Sequence, residues 1–170
     1  MRIFLTIVIV LVNFILQTTL LPYIAIGGVM PHTGLIIVVS LALLRGSTEG
    51  AWTGFVTGVL MDVFFGTSYG YYALIFLLLG FLSGRSQKNF YRENYLLPII
   101  FCSLAVVVYE TVIFITGLLS QGDIHVLYFL VRIMVPETVY TAIITIPIYR
   151  LLFGINEWLE LKEKYKYRLF

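Results

Sequence analysis

Apolar runs separated by short polar or glycine-containing breaks divide this chain into six candidate helices: residues 3 to 22, 29 to 44, 50 to 66, 70 to 84, 96 to 119 and 126 to 153. A hydrocarbon core of ~30 Å needs about 20 residues rising ~1.5 Å each. The second, third and fourth runs are therefore short for a membrane span and require burial or local thinning, whereas the last is long enough to tilt or bend. The first run starts like a signal peptide, with Arg2 ahead of an apolar stretch, but it is too long and lacks a small-x-small cleavage site. It is read as a retained helix. The pattern predicts an all-α integral membrane protein: residues 1 to 153 form a single six-helix membrane domain, and residues 154 to 170 a short cytoplasmic amphipathic, basic tail.

From the third run to the start of the fourth, Gly50, Gly54, Gly58, Asp62, Gly66 and Gly70 recur at four-residue spacing. Each such step overshoots a helical turn by roughly 40°, so Gly50 to Asp62 make a slowly winding smooth stripe with an acid at its far end. In lipid, apolar side chains gain little by leaving hydrocarbon, and small residues favour association by letting backbones approach closely. The stripe is thus expected to be a docking face for a partner, carried by Gly54, Gly58, Asp62, Gly66 and Gly70. Asp62 needs a partner of its own, at the interface or in a basic group such as Arg132, and a packing role is favoured over a proton relay.

Composition agrees with lipid as the solvent: 60% of residues are hydrophobic, 12% are charged and mean hydropathy is +0.98. Cys102, the lone cysteine, has no partner for an internal disulfide and reads as a small hydrophobe. Arg2, Arg45, Arg85, Lys88, Arg92, Arg150, Lys162, Lys164, Lys166 and Arg168 all fall on one side of the six-span drawing. By the positive-inside rule both termini are cytoplasmic. The net charge of +2 is a topology signal and implies no nucleic-acid partner, because no basic recognition surface accompanies it.

The remaining intramembrane charges are Glu110 in the fifth run and Arg132 and Glu137 in the sixth, the last two flanking Pro136. Glu110 and Arg132 lie at similar depth counted from the outer loop, which predicts a bridge between them. Arg132 and Glu137, five residues apart, point about 140° away from each other. The three are read as a structural charge network, with Pro136 favouring a kink. His32 and His125 have no Cys, His or acid at metal-ligand spacing and read as interfacial, so neither a metal nor a cofactor is expected. The serines and threonines lack a nearby histidine, phosphate-loop spacing is absent, and two separated acids define no reaction. The loop at residues 85 to 95 reads as a headgroup anchor. In the tail, Trp158, Leu161, Tyr165 and Leu169 recur at helical spacing and predict an interfacial helix touching anionic lipid or a cytoplasmic protein.

Pro31, Gly34 and the run LIIVVSLALL, then Arg45-Gly46, Glu49-Gly50, Gly54-Phe55, Gly58-Val59-Leu60, Asp62, Gly66, Gly70 and the closing GFLSG at Gly80 to Gly84, resemble the MreD family of rod shape-determining membrane proteins. The likeness is strongest over residues 31 to 84. It departs at His32-Thr33, where many members follow the proline with an acid or amide. The resemblance implies a non-enzymatic scaffold of the bacterial cell-wall elongation machinery in the inner membrane. It implies MreC as the foremost partner, and RodA, the elongation transpeptidase and MreB as partners directly or through the assembly; self-association stays open. It also implies a fold like the six-helix substrate-binding subunits of energy-coupling-factor transporters. That likeness supplies the alternative function, binding of a vitamin-like small molecule.

Overall fold

The computed structural model describes residues 2–25, 28–65, 70–89, 96–121 and 126–167. Its main helices are α1 (Arg2–Thr19), α2 (Thr33–Arg45), α3 (Ser47–Phe65), α4 (Tyr71–Arg85) and α5 (Leu96–Gln121). After α5 come a short α6 (Val126–Phe129), a π-helical stretch Leu130–Met134 and a long α7 (Val135–Tyr167), which follow one another without a break. Single 3₁₀ turns at Leu21–Ile24 and Ser86–Asn89 close α1 and α4. All-α architecture is as expected.

The shortest main helix is also the most enclosed. Every residue of α2 from Thr33 to Leu44 is buried, as befits a helix that is apolar all round. Leu35, Ile36, Val38, Val39 and Leu43 meet Phe76 and Leu79 of α4 and Cys102, Val106 and Tyr109 of α5. On its other side Ile37, Leu41 and Leu44 meet Val10 of α1 and Tyr149 and Leu152 of α7. Burial therefore answers the shortness that the sequence raised. The outward faces are apolar as well: Ile3, Phe4, Leu74, Leu119 and Leu127 are all more than 60% exposed. A bundle greasy on both its inside and its outside suits a hydrocarbon solvent. Among the described residues two stretches, Leu96–Leu119 and Val126–Lys162, are long and apolar enough to cross a membrane.

Pro136 produces a π-helical turn. In a regular α-helix its ring would press on the carbonyl four residues back, that of Arg132, and its missing N–H would leave that carbonyl unpaired. Instead Leu130–Met134 widen, and the Val135 N–H reaches the carbonyl of Leu130, five residues back. Past residue 153, α7 runs on as the same helix. There Asn156 and Leu159 are buried, while Trp158 and Leu161 lie on the exposed side with Lys162 Nζ 4.0 Å above the Trp158 ring. The side chains of Tyr165 and Leu169 lie outside the described residues.

Candidate functional site

The glycine stripe is a seam inside the molecule. A Cβ at Gly50 would lie 2.6 Å from the Gly80 carbonyl oxygen, one at Gly54 2.6 Å from the Phe76 carbonyl carbon, and one at Gly58 2.6 Å from the Tyr72 carbonyl oxygen. Each of these neighbours is backbone of α4, and Gly84 approaches the Ser47 backbone in the same way. The expectation that Gly54, Gly58 and Asp62 face another protein is therefore corrected. Small residues report that a helix comes close, and here the chain's next helix, with Ala73, Gly80 and Gly84 as its own small positions, fills the stripe. Gly66 lies outside the described residues. Gly70 is exposed at φ +91°, ending the turn into α4 with nothing near its Cα hydrogens. The hydroxyls of Thr53 and Thr57 on α3 are buried too, and each bonds the carbonyl four residues back, Glu49 and Thr53 respectively.

Asp62 finds its partner at the end of that seam. One carboxylate oxygen accepts from the N–H of Tyr72 at 2.9 Å, and the other from Gly70 at 3.1 Å and Ala73 at 2.9 Å. These are donors of the first turn of α4, which has no helical acceptors of its own. The N-cap position is Gly70, which has no side chain to cap with, so α3 supplies the cap. The helix dipole favours the negative charge at this end. The expected approach of Asp62 to Arg132 is replaced by these backbone amides.

At the same end of the bundle a second polar group assembles from three separate parts of the chain. His32 is the N-cap residue of α2, Glu110 lies on α5 and Glu137 in the first turn of α7. One ligand atom from each lies within 4.8 Å of the others. His32 Nε2 is 4.0 Å from Glu137 Oε1, and a carboxylate oxygen of Glu110 lies within 4.8 Å of both His32 and Glu137. Both acids are buried. His32 is placed by its neighbours: its ring meets the edge of Tyr109 at 4.3 Å, and its backbone N–H donates to Thr141 Oγ1 at 3.1 Å. Its Nδ1 is buried with no hydrogen-bond partner among the described residues.

This arrangement corrects three expectations. His32 is enclosed rather than interfacial, and two acids stand at ligand distance from it. Glu110 pairs with Glu137, and the bridge to Arg132 does not form: Arg132 is exposed, within the π-helical stretch. The charge network thus contains Glu110 and Glu137 without Arg132. His125 lies outside the described residues. A usable signal was present, since the fifth and sixth runs form an antiparallel hairpin and each carries a glutamate well inside it.

The opposite end is held by Arg45, a residue the charge pattern treated only as a topology marker. Its side chain is 2% exposed and reaches three other helices. Nε donates to Asn156 Oδ1 of α7 at 2.9 Å, while Nη1 donates to Thr6 Oγ1 of α1 at 2.9 Å and to Glu49 Oε2 of α3 at 3.3 Å. The Gln87 amide caps the neighbouring Leu44 carbonyl at 3.1 Å. Thr6, Arg45, Glu49, Gln87 and Asn156 thus share one end, and Asp62, Glu110 and Glu137 lie towards the other.

The family model of the rod shape-determining protein MreD matches residues 1–156. No curated protein and no solved structure matches the chain. The matched region includes the α3–α4 seam, the Asp62 cap, the His32–Glu110–Glu137 group and the Arg45 junction, and it gives the chain a role in determining rod shape. On that match over almost the whole of its length, the chain belongs to the MreD family.

Proposed function

We propose that this protein is a multi-pass scaffold of the bacterial inner membrane, with both termini cytoplasmic, which holds the cell-wall elongation machinery together through helix contacts and performs no reaction itself. The observation that carries this reading is the family match over residues 1–156. It is supported by a bundle whose polar groups are spent on joining its own helices: Asp62 on α4, Arg45 on α1, α3 and α7. MreC is the direct partner, and RodA, the transpeptidase and MreB are reached directly or through the assembly. Because the α3–α4 seam is filled from within, partner contacts belong on the outward apolar faces. Residues 1 to 153 act as the membrane domain, with 154 to 170 as its basic cytoplasmic extension.

The fold we propose is that of the substrate-binding subunits of energy-coupling-factor transporters. A vitamin-like ligand is the second reading, favoured by the enclosed polar group at His32. Co-purification from membranes followed by mass spectrometry separates the two. Recovery of MreC supports the scaffold; recovery of nucleotide-binding and coupling subunits with a retained small molecule would overturn it.

A further inference from the structure

We propose that His32, Glu110 and Glu137 form a divalent-cation site of the class that zinc occupies. The donor set is one imidazole and two carboxylates, brought from α2, α5 and α7 by chain segments up to 105 positions apart. The centre of a triangle with 4.8 Å edges lies about 2.8 Å from its corners, so side-chain adjustments of several tenths of an ångström bring three donors to the ~2.0–2.2 Å typical of zinc. An imidazole among the donors argues for zinc or a neighbouring first-row ion over magnesium or calcium, which take oxygen ligands.

Two features beyond proximity point to a ligand. Two acidic side chains are buried against each other, and among the described residues no Lys or Arg is ion-paired with either. Like-charged groups in a low-dielectric interior require either protons or a metal cation. The imidazole, moreover, turns Nε2 to within 4.0 Å of Glu137 Oε1, while Nδ1 is buried with no hydrogen-bond partner among the described residues. The ring packs against Tyr109 and the His32 backbone is tied to Thr141, which places the residue before any ion arrives. The side chains of His32 and Glu137 keep 13% and 11% of their surface exposed, which leaves a way in.

The test uses the full chain purified in detergent, stripped with EDTA and titrated with zinc chloride by calorimetry. The expected result is one ion per chain. His32→Ala, Glu110→Gln and Glu137→Gln should each weaken binding at least tenfold, and His125→Ala should leave it unchanged. Cobalt(II) in place of zinc should give visible absorption that the same three variants lose. In wild type alone, zinc should raise the thermal midpoint and EDTA reverse the rise, a measurement that stands even if a variant fails to fold. Substoichiometric binding in wild type, no thermal response to zinc, or affinity unchanged in well-folded Glu110→Gln and Glu137→Gln would each overturn the site.

Discussion

Gly54→Ala tests whether the glycine stripe is an internal seam. The new Cβ would meet the carbonyl of Phe76, with the carbonyl carbon 2.6 Å away. Backbone cannot rotate aside, so α4 has to retreat by about 1 Å over this turn, a movement of the kind that makes overpacking cost roughly 1–3 kcal/mol. The retreat also opens the contacts of Gly50 with Gly80 and of Gly58 with Tyr72. A radial gap of ~0.5–1 Å already forfeits a quarter to a half of the dispersion attraction between facing atoms. Against this stands the helix-propensity gain of alanine over glycine, about 1 kcal/mol. The expected net loss is about 2 kcal/mol. Gly154→Ala is the matched control, because a Cβ there has open space around it and should stabilise by about 0.5–1 kcal/mol. Unfolding of the purified protein in mixed detergent, followed by circular dichroism, reads both. If the stripe instead faced another protein, the isolated chain would gain from alanine at both positions. Equal stabilisation of Gly54→Ala and Gly154→Ala would therefore refute the seam.

Asp62→Ala removes the acceptor for three backbone N–H groups and should cost about 2–3 kcal/mol, while Asp62→Asn, which keeps one carbonyl oxygen, should fall between it and wild type in the same unfolding assay. Arg45→Met breaks the contacts to α1, α3 and α7 together and should lose about 2 kcal/mol; Arg45→Lys should recover little, since an ammonium lacks the fork that reaches Asn156 and Thr6 at once. Arg132→Gln should change folded abundance by less than about 0.5 kcal/mol equivalent, as exposed substitutions usually do, and should add independently to Glu110→Gln. Strong coupling in that double mutant, read from thermal stability, would restore the bridge that the geometry excludes.

Helices were legible because their signals are local: apolar runs and glycine breaks bound the first five to within a few residues, while the last runs on past residue 153 to Tyr167. The four-residue glycine spacing correctly indicated a close helix contact. What spacing along one helix cannot carry is the identity of the opposing surface, and the complementary Ala73, Gly80 and Gly84 lay unread on α4. Level along the bundle was equally legible, yet level omits rotation. Glu110 and Arg132 share a level, but the π-helical stretch before Pro136 sets how the helix is wound there, and Arg132 ends outside while Glu137 turns in. Opposite charge made the wrong pair attractive, because two acids are expected to avoid each other unless a proton or an ion joins them. His32 was missed for a further reason. Its place beside an apparent span end suggested the interface, whereas α2 is short and sunk among five other helices, so its first residues are interior.

The cap that α3 lends to α4 bears on how this protein enters the bilayer. α4 has only 15 residues, and its leading amides depend on a carboxylate from the preceding helix. α3 in turn carries that charged carboxylate near its end and has glycines where lipid contact would favour larger side chains. Either helix alone presents the insertion machinery with polar groups that cost several kcal/mol each in hydrocarbon. Joined, each removes the other's penalty. If the chain is the multi-pass protein proposed above, the unit of integration is the α3–α4 hairpin, and a chain ended after Phe65 should fail to integrate its third helix.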